Sequence, residues 1–485
     1  MTVIESYCTH PPCEHHGGPC EPCNDLTEIE AKIEDLQEQH LQARARRNLV
    51  HNGPFIHQIP PEIVSYIFTL AFPTSHSCDY PEEDVSQFIF DKVCHSWREL
   101  AFSTPRLWCN ILVNVAEPNL PLLNHHISHS GVMPLSITTS RDIHTPSKQA
   151  ISFIIEQLHR TSSLCIQGEF IPEIFAALGS PNAAPLLEEF HIYTDSDLYS
   201  SRSLQIEPPR QRRLLLKWFS FYQSCPYWTN ISHLTLDNCL LGNVLPKNFA
   251  SKDLKQLALK DCLIMPTEQI DCPSIEVLTL DCFDSAKFMF TKTSLPSLRN
   301  LEIKADKVHR LYPMIPDFLH RSLCQLQVLI IHNWGDDTSE GVDNGLILEL
   351  IDVLKCTNAL QHLTYESYES SPPSNPEPLV QRLSSERGFL PCLQTLSLRT
   401  RYIPSIDLML NVMTAEGDLS RPVCELNLEL WMILLEVGPF LRDDVLRILQ
   451  LRATGKIICI RCALEWEIPE LASDVVLYWK RKYGL

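Results

Sequence analysis

Along most of the chain the apolar positions fall in one recurring form, apolar-x-x-apolar-x-apolar. It runs as Ile231/Leu234/Leu236, Leu254/Leu257/Leu259, Ile275/Leu278/Leu280 and Leu298/Leu301/Ile303. It continues as Leu326/Leu329/Ile331, Leu360/Leu363/Tyr365, Leu393/Leu396/Leu398 and Val423/Leu426/Leu428. Upstream, Leu187/Phe190/Ile192 fits the form, and Leu164/Ile166, Leu135/Ile137 and Ile111/Val113 are weaker echoes. The steps between successive motifs are 23, 21, 23, 28, 34, 33 and 30 residues. Alternation of side chains within each motif predicts a short strand. A sustained period predicts that the strands stack side by side in parallel, since one repeat buries its apolar face only against its neighbours. The longer steps have room for helices, expected at 345–354, 313–323 and 406–413, and a further helix is expected at 214–222. Steps of 21 to 23 residues leave space only for a tight turn or a 3₁₀ segment.

The first hundred residues follow a different period. Asn24 is a helix cap for a segment running to residue 52, acidic early and basic late at Arg44, Arg46 and Arg47, as the helix dipole favours. Leu26, Ile29, Ile33 and Leu36 keep a heptad seam, which His40 and Arg47 then interrupt. The expected result is a helix that leans on the next segment or self-associates weakly. After the bend at Asn52-Gly53-Pro54, Ile59-Pro60-Pro61-Glu62 starts a second helix, because the first turn can spare the amide donors that proline lacks. Ile63, Ile67 and Leu70 share one face of it, and Phe68 and Phe72 widen that face. Val93, Trp97 and Leu100 share a face of a third helix. Apolar faces this wide on two short helices predict a docking surface for another protein.

Residues 55–111 carry the pattern I-P-x-E-I-x-x-x-I-F followed by V-C-x-x-W-R-x-L-A and then STPRLW. This resembles the F-box, and the recurrence that follows resembles the F-box/leucine-rich-repeat proteins of mushroom-forming fungi. The chain departs from the pattern in having Ile59 where leucine is usual, and in a longer, more acidic loop, SHSCDYPEED, between the helices. The resemblance implies docking on a Skp-type adaptor of an SCF ubiquitin ligase, and through it on a cullin, by Ile59, Pro60, Ile63, Ile67, Phe68, Val93 and Trp97. It also implies that Cys239 and Cys262, eight residues into their repeats, bond the turning backbone where the family carries Asn or Cys. Cys282 stands one residue early and predicts a different bend.

Charge and composition narrow the function further. A formal charge of −19 argues against a general nucleic-acid binder, which needs a basic stripe. No apolar run reaches eighteen residues, so no membrane span is expected, and MTVIESYCTHPPCEHH lacks the basic and apolar regions of a signal peptide. The nineteen cysteines form no compact framework and predict reduced thiols in the cytoplasm or nucleus. The tail at 1–23 holds CTHPPC and CEPC, but no surrounding apolar knuckle, and is expected to be disordered and free of stoichiometric zinc. Cys459 and Cys462 form a CxxC inside the strand-like run KIICIRC rather than at a helix start. There is no P-loop, no dinucleotide glycine fingerprint and no HExxH, so neither an enzyme nor a cofactor is expected.

The fold class expected is therefore α/β: an N-terminal helix (24–52), F-box helices (53–112) and a leucine-rich-repeat solenoid (113–485) with a parallel concave sheet. On that sheet the outward strand positions carry the candidate substrate contacts His233, Val328, Ile330, His332, His362 and Arg399. Val328 and Ile330 are apolar and outward-facing, which favours a binding contact. The row Asp237, Lys260, Asp281, Lys304 alternates in sign and predicts a ladder of lateral ion pairs. The alternative to a ligase subunit is a repeat scaffold that binds a protein partner without a ligase.

Overall fold

The computed structural model describes residues 21–51, 59–71, 90, 93–140, 147–167, 171–178, 183–193, 212–218, 220–221, 231–241, 251–264, 269–305, 308–333, 345–367, 375–386, 388–400, 405–414, 423–430, 442–462 and 475–483. The cysteine-rich stretch 1–20, the stretches 72–89 and 91–92, and residues 194–211 lie outside the described residues. So does 368–374. The chain divides into two compact units, Met1–Thr74 with Val85–Leu107, and Ser75–Asp84 with Trp108–Leu485.

The first unit holds α1 (Glu21–His51), α2 (Pro61–Ala71) and α3 (His95–Phe102). Helix α1 starts three residues before the expected cap. Its described side chains, Asp25 and 28–47, are all exposed, so they do not lean on the neighbouring helices. Pro60 opens α2: its carbonyl accepts from Ile63 N at 2.9 Å and from Val64 N at 3.2 Å. Helices α2 and α3 share a small core, and the Thr104 hydroxyl lies 3.0 Å from that of Ser65.

The second unit is an α/β structure built on one 14-stranded parallel sheet. In chain order the strands are β1 (Asn110–Val113), β2 (Leu135–Thr139), β3 (Thr161–Gln167), β4 (Glu189–Tyr193) and β5 (Arg213–Lys217). Then come β6 (His233–Asp237), β7 (Gln256–Lys260), β8 (Val277–Asp281), β9 (Asn300–Ala305) and β10 (Val328–Asn333). The last four are β11 (His362–Ser367), β12 (Thr395–Thr400), β13 (Glu425–Leu430) and β14 (Ile457–Cys462). Their order in the sheet is their order in the chain. The apolar motif sets the register: Leu257, Leu278, Leu301, Leu329, Leu363 and Leu396 stand side by side on successive strands. Every one of them is buried. The weaker echoes at Ile111, Leu135 and Leu164 are also strands of this sheet.

Three expectations are corrected. Residues 213–217 form β5, with alternating burial and five-residue pairing to β4 and β6, rather than the start of a helix at 214–222. A run of three leucines reads either way locally, and the flanking strands decide it. The 23-residue step from Ile275 to Leu298 holds a ten-residue helix, Phe283–Lys292, and not only a turn. The early Cys282 is its N-cap, with Sγ accepting from Ser285 N at 3.4 Å. The segment expected as one helix at 313–323 is a 3₁₀ stretch, Val308–Met314, followed by an α-helix, Ile315–Ser322. Helices at Gly345–Leu354 and Ile406–Thr414 lie where the spacing puts them.

The strand exits are uniform at β5 to β7. Trp218, Asn238 and Asp261 each take a left-handed conformation, at φ of 59°, 51° and 46°. Each N–H donates to the last carbonyl region of the next strand, as Asn238 N to Lys260 O at 2.8 Å. Asn and Asp tolerate this region, whereas a tryptophan there is strained. Behind these turns Cys239 bonds Asp237 O at 3.3 Å, and Cys262 bonds Lys260 O at 3.2 Å. Small thiols thus bond the turning backbone.

Candidate functional site

Two surfaces carry the candidate residues. On α2, spacing divides the apolar residues between two faces. Val64 and Phe68 turn inward, at 3% and 1% exposure. The Phe68 ring stacks on Phe90 at 4.3 Å and lies 4.9 Å from Trp97, so these three rings form the core of the helical pair. Phe68 is therefore removed from the docking set: a ring enclosed by two others offers no surface to a partner. Trp97 is half-buried for the same reason.

Ile63 (50%), Tyr66, Ile67 (42%) and Leu70 form an exposed apolar stripe at i, i+3, i+4, i+7. Val93 is also exposed, and so is Pro60. Tyr66 and Leu70 were not among the expected contacts, though their spacing places them on the same stripe as Ile63. Beside the helices lies a groove of about 440 Å³, lined by Ile59, Val64, Trp97, Leu100 and Ser103. Ile59 thus borders the groove rather than the stripe.

On the sheet, the register arranges the partly exposed side chains in rows that cross the strands. Val328, His362, Thr395 and Glu425 make one row. Ile330, Thr364, Ser397, Asn427 and Cys459 make the next. Lys304, His332, Glu366 and Arg399 make the third. Five of the six expected contacts therefore gather on β10 to β12. His233 stands apart on β6, four strands from β10, about 19 Å at ordinary strand spacing. Its Nδ1 lies 2.7 Å from Ser232 Oγ, and burial, with Arg213 nearby, lowers its pKa.

The third row is a connected network. His332 Nδ1 lies 2.5 Å from Glu366 Oε2, and its Nε2 lies 3.3 Å from Glu302 Oε1. Arg399 Nη1 donates to Glu366 Oε1 at 2.9 Å, and Lys304 pairs with Glu302 at 2.9 Å. Burial by itself lowers the His332 pKa, but the hydrogen bonds to Glu302 and Glu366 outweigh it, and the net shift is upward. The same bond from His332 holds Glu302 at about 2, helped by Lys304 and opposed by burial. An imidazolium donating to a carboxylate on each side explains both shifts.

The expected ion-pair ladder is only partly present. Among the described residues, Asp237 pairs at 3.4 Å with Lys217, its lateral neighbour one strand earlier in the same row, and Lys304 turns to Glu302 on its own strand. Burial raises the Asp281 pKa, with Lys304 and Lys260 opposing.

Next to the network a cavity of about 410 Å³ opens on the sheet, bordered by Glu366, Ser397, Arg399, Glu425, Asn427 and Cys459. Its floor is the row of small side chains, and its sides are the rows of charged ones. Glu425 there is bonded by the neutral donors Asn427 Nδ2 at 2.9 Å and Thr395 Oγ1 at 3.4 Å. Glu302, Glu366, Glu425 and Asn427 were not in the expected contact set. Their signal in the sequence is their place at outward strand positions. Among the described residues no group of His, Cys, Asp or Glu is arranged to hold a metal ion, and no helix is long and apolar enough to cross a membrane. Comparison with protein-family models finds no match for this chain, and comparison with curated proteins finds none either.

Proposed function

We propose that this chain is a non-catalytic substrate receptor of an SCF-type ubiquitin ligase. In this reading α2 and α3 are an F-box that docks a Skp-type adaptor, and through it a cullin. The parallel sheet with its returning segments is a leucine-rich-repeat solenoid, and its partly exposed face binds a protein substrate. The location that goes with this function is the cytoplasm or nucleus.

The observation that carries the reading is the exposed stripe Ile63, Tyr66, Ile67, Leu70, held on a helix whose opposite face is anchored by Phe68, Phe90 and Trp97. An apolar stripe that wide, on a helix already fixed in place, offers a partner burial without an ordering cost. Burying an isoleucine contributes about 1.5–3 kcal/mol. Replacing Ile63 and Ile67 together by alanine therefore weakens adaptor binding by roughly 100-fold or more. The test is the affinity of the intact chain for a purified Skp-type adaptor. Absence of binding by the folded chain refutes the ligase reading and leaves a repeat scaffold without a ligase.

A further inference from the structure

Helix α1 is 31 residues long, and Asp25 and every residue from Glu28 to Arg47 is exposed, among them Ile29, Ile33 (48%) and Leu36. Its charge is divided. Residues 25–38 hold Asp25, Glu28, Glu30, Glu34, Asp35 and Glu38 against the single Lys32. Residues 39–47 hold no acid and carry Arg44, Arg46 and Arg47.

The heptad seam runs through Leu26, Ile29, Ile33, Leu36, His40, Ala43 and Arg47. A parallel pair would set Arg47 against its own counterpart, and acidic half against acidic half. An antiparallel pair crossing at Leu36 changes every contact. Leu36 then meets its counterpart, Ile33 meets His40 of the second copy, and Ile29 meets Ala43. Arg44 and Arg46 come alongside Glu30 and Asp25 at the positions that flank the seam. His40 then lies against Ile33 and Arg47 against Leu26, so the seam stays imperfect and the orientation is set by the flanking charges. Flanking charge of this kind sets both partner and orientation in paired helices.

We propose that α1 is a self-association helix, taking α1 of a second copy of this chain in antiparallel register, with Asp25 and Glu30 of each copy against Arg46 and Arg44 of the other. With only four large aliphatic seam positions per helix, the pairing is reversible and concentration-dependent. It does not depend on adaptor binding.

Sedimentation equilibrium of the full chain tests this. A monomer–dimer equilibrium is expected, weakening about ten-fold as salt rises from about 0.1 M to about 1 M and the screening length falls from about 10 Å to about 3 Å. A parallel pair, with like charges adjacent, would strengthen instead. The double change Arg44→Glu, Arg46→Glu abolishes the dimer, as does Asp25→Lys, Glu30→Lys, and mixing the two variants restores it. Helicity by circular dichroism shows that each variant keeps its fold. Ile63→Ala with Ile67→Ala leaves self-association unchanged. A monomer at every concentration overturns the proposal. So does a dimer that salt strengthens, one indifferent to both charge variants, or one that the Ile63/Ile67 change removes.

Discussion

His332 Nδ1 lies 2.5 Å from Glu366 Oε2, joining β10 to β11 through a side-chain pair on neighbouring strands. The two residues are 34 apart in the chain, and in-register pairing makes them direct lateral neighbours. With Glu302 on the other side, the imidazole bridges carboxylates from two different strands.

That geometry makes the stability of the sheet pH-dependent. The His332 pKa stands above its ordinary 6.5, so its contribution is complete below about pH 6.5 and is lost as pH rises through the raised value. The Glu302 pKa stands at about 2 against 4.5, so its contribution is present above about pH 4.5 and is lost as pH falls through 2. The network therefore contributes most between these limits. We expect the Tm advantage of the native chain over His332→Gln to shrink by about 1–3 °C between pH 6 and pH 8.5, a size that allows for partial solvent screening. A difference that stays flat or grows with pH would count against the bridge.

Phe68 and Ile63 lie on opposite faces of α2, and their truncations should separate cleanly. Phe68→Ala empties the three-ring core and costs about 3–5 kcal/mol. Amide exchange across 61–71 should then approach that of an unfolded segment. Ile63→Ala should change stability by no more than about 0.5 kcal/mol. Equal protection loss in both variants would mean that Ile63 is a core residue.

The thiols should differ sharply in reactivity. Burial pushes Cys272 up to about 12, and the hydrogen bond with Cys239 together with burial raises Cys262 as well. Cys356, Cys392 and Cys424 are exposed. Brief treatment of the native chain with iodoacetamide, read by mass spectrometry, should label those three well before Cys262 and Cys272. Cys262 and Cys272 should stay protected until the chain unfolds. Labelling of Cys262 at the rate of Cys424 would contradict its placement behind the turn.

Leu323 ends the helix Ile315–Ser322 in a left-handed conformation, at φ 50° and ψ 28°, with its side chain 80% exposed. That conformation costs a non-glycine residue about 1–2 kcal/mol, and glycine's greater unfolded-state freedom returns about 0.5–1 kcal/mol. Leu323→Gly should therefore stabilise the chain by about 0.5–1 kcal/mol in chemical denaturation. A loss of stability would show that the leucine packs more than its exposure indicates.

The spacing of leucines was enough to locate eight strands from Leu234 to Leu428 and the parallel rows between them, because alternation and period are local properties of a chain. The exposed stripe at Ile63 and Ile67 was legible for the same reason. What spacing left open was the side of α2 that a neighbour covers. Phe68 lies one residue from Ile67, and only the arrival of Phe90 and Trp97 places it inside. The run Arg213–Lys217 became a strand because β4 and β6 supply its hydrogen-bond partners.

By itself, then, the sequence determined the repeat, eight of the strands and their outward side chains, consequences of a two-residue period within each strand and a longer recurrence between strands. The tertiary structure alone decided which rings close the helical core. It also decided that His332 sits between Glu302 and Glu366, and that His233 stands apart from them. Burial and lateral pairing depend on segments thirty or more residues away, and no local pattern encodes which of them will meet.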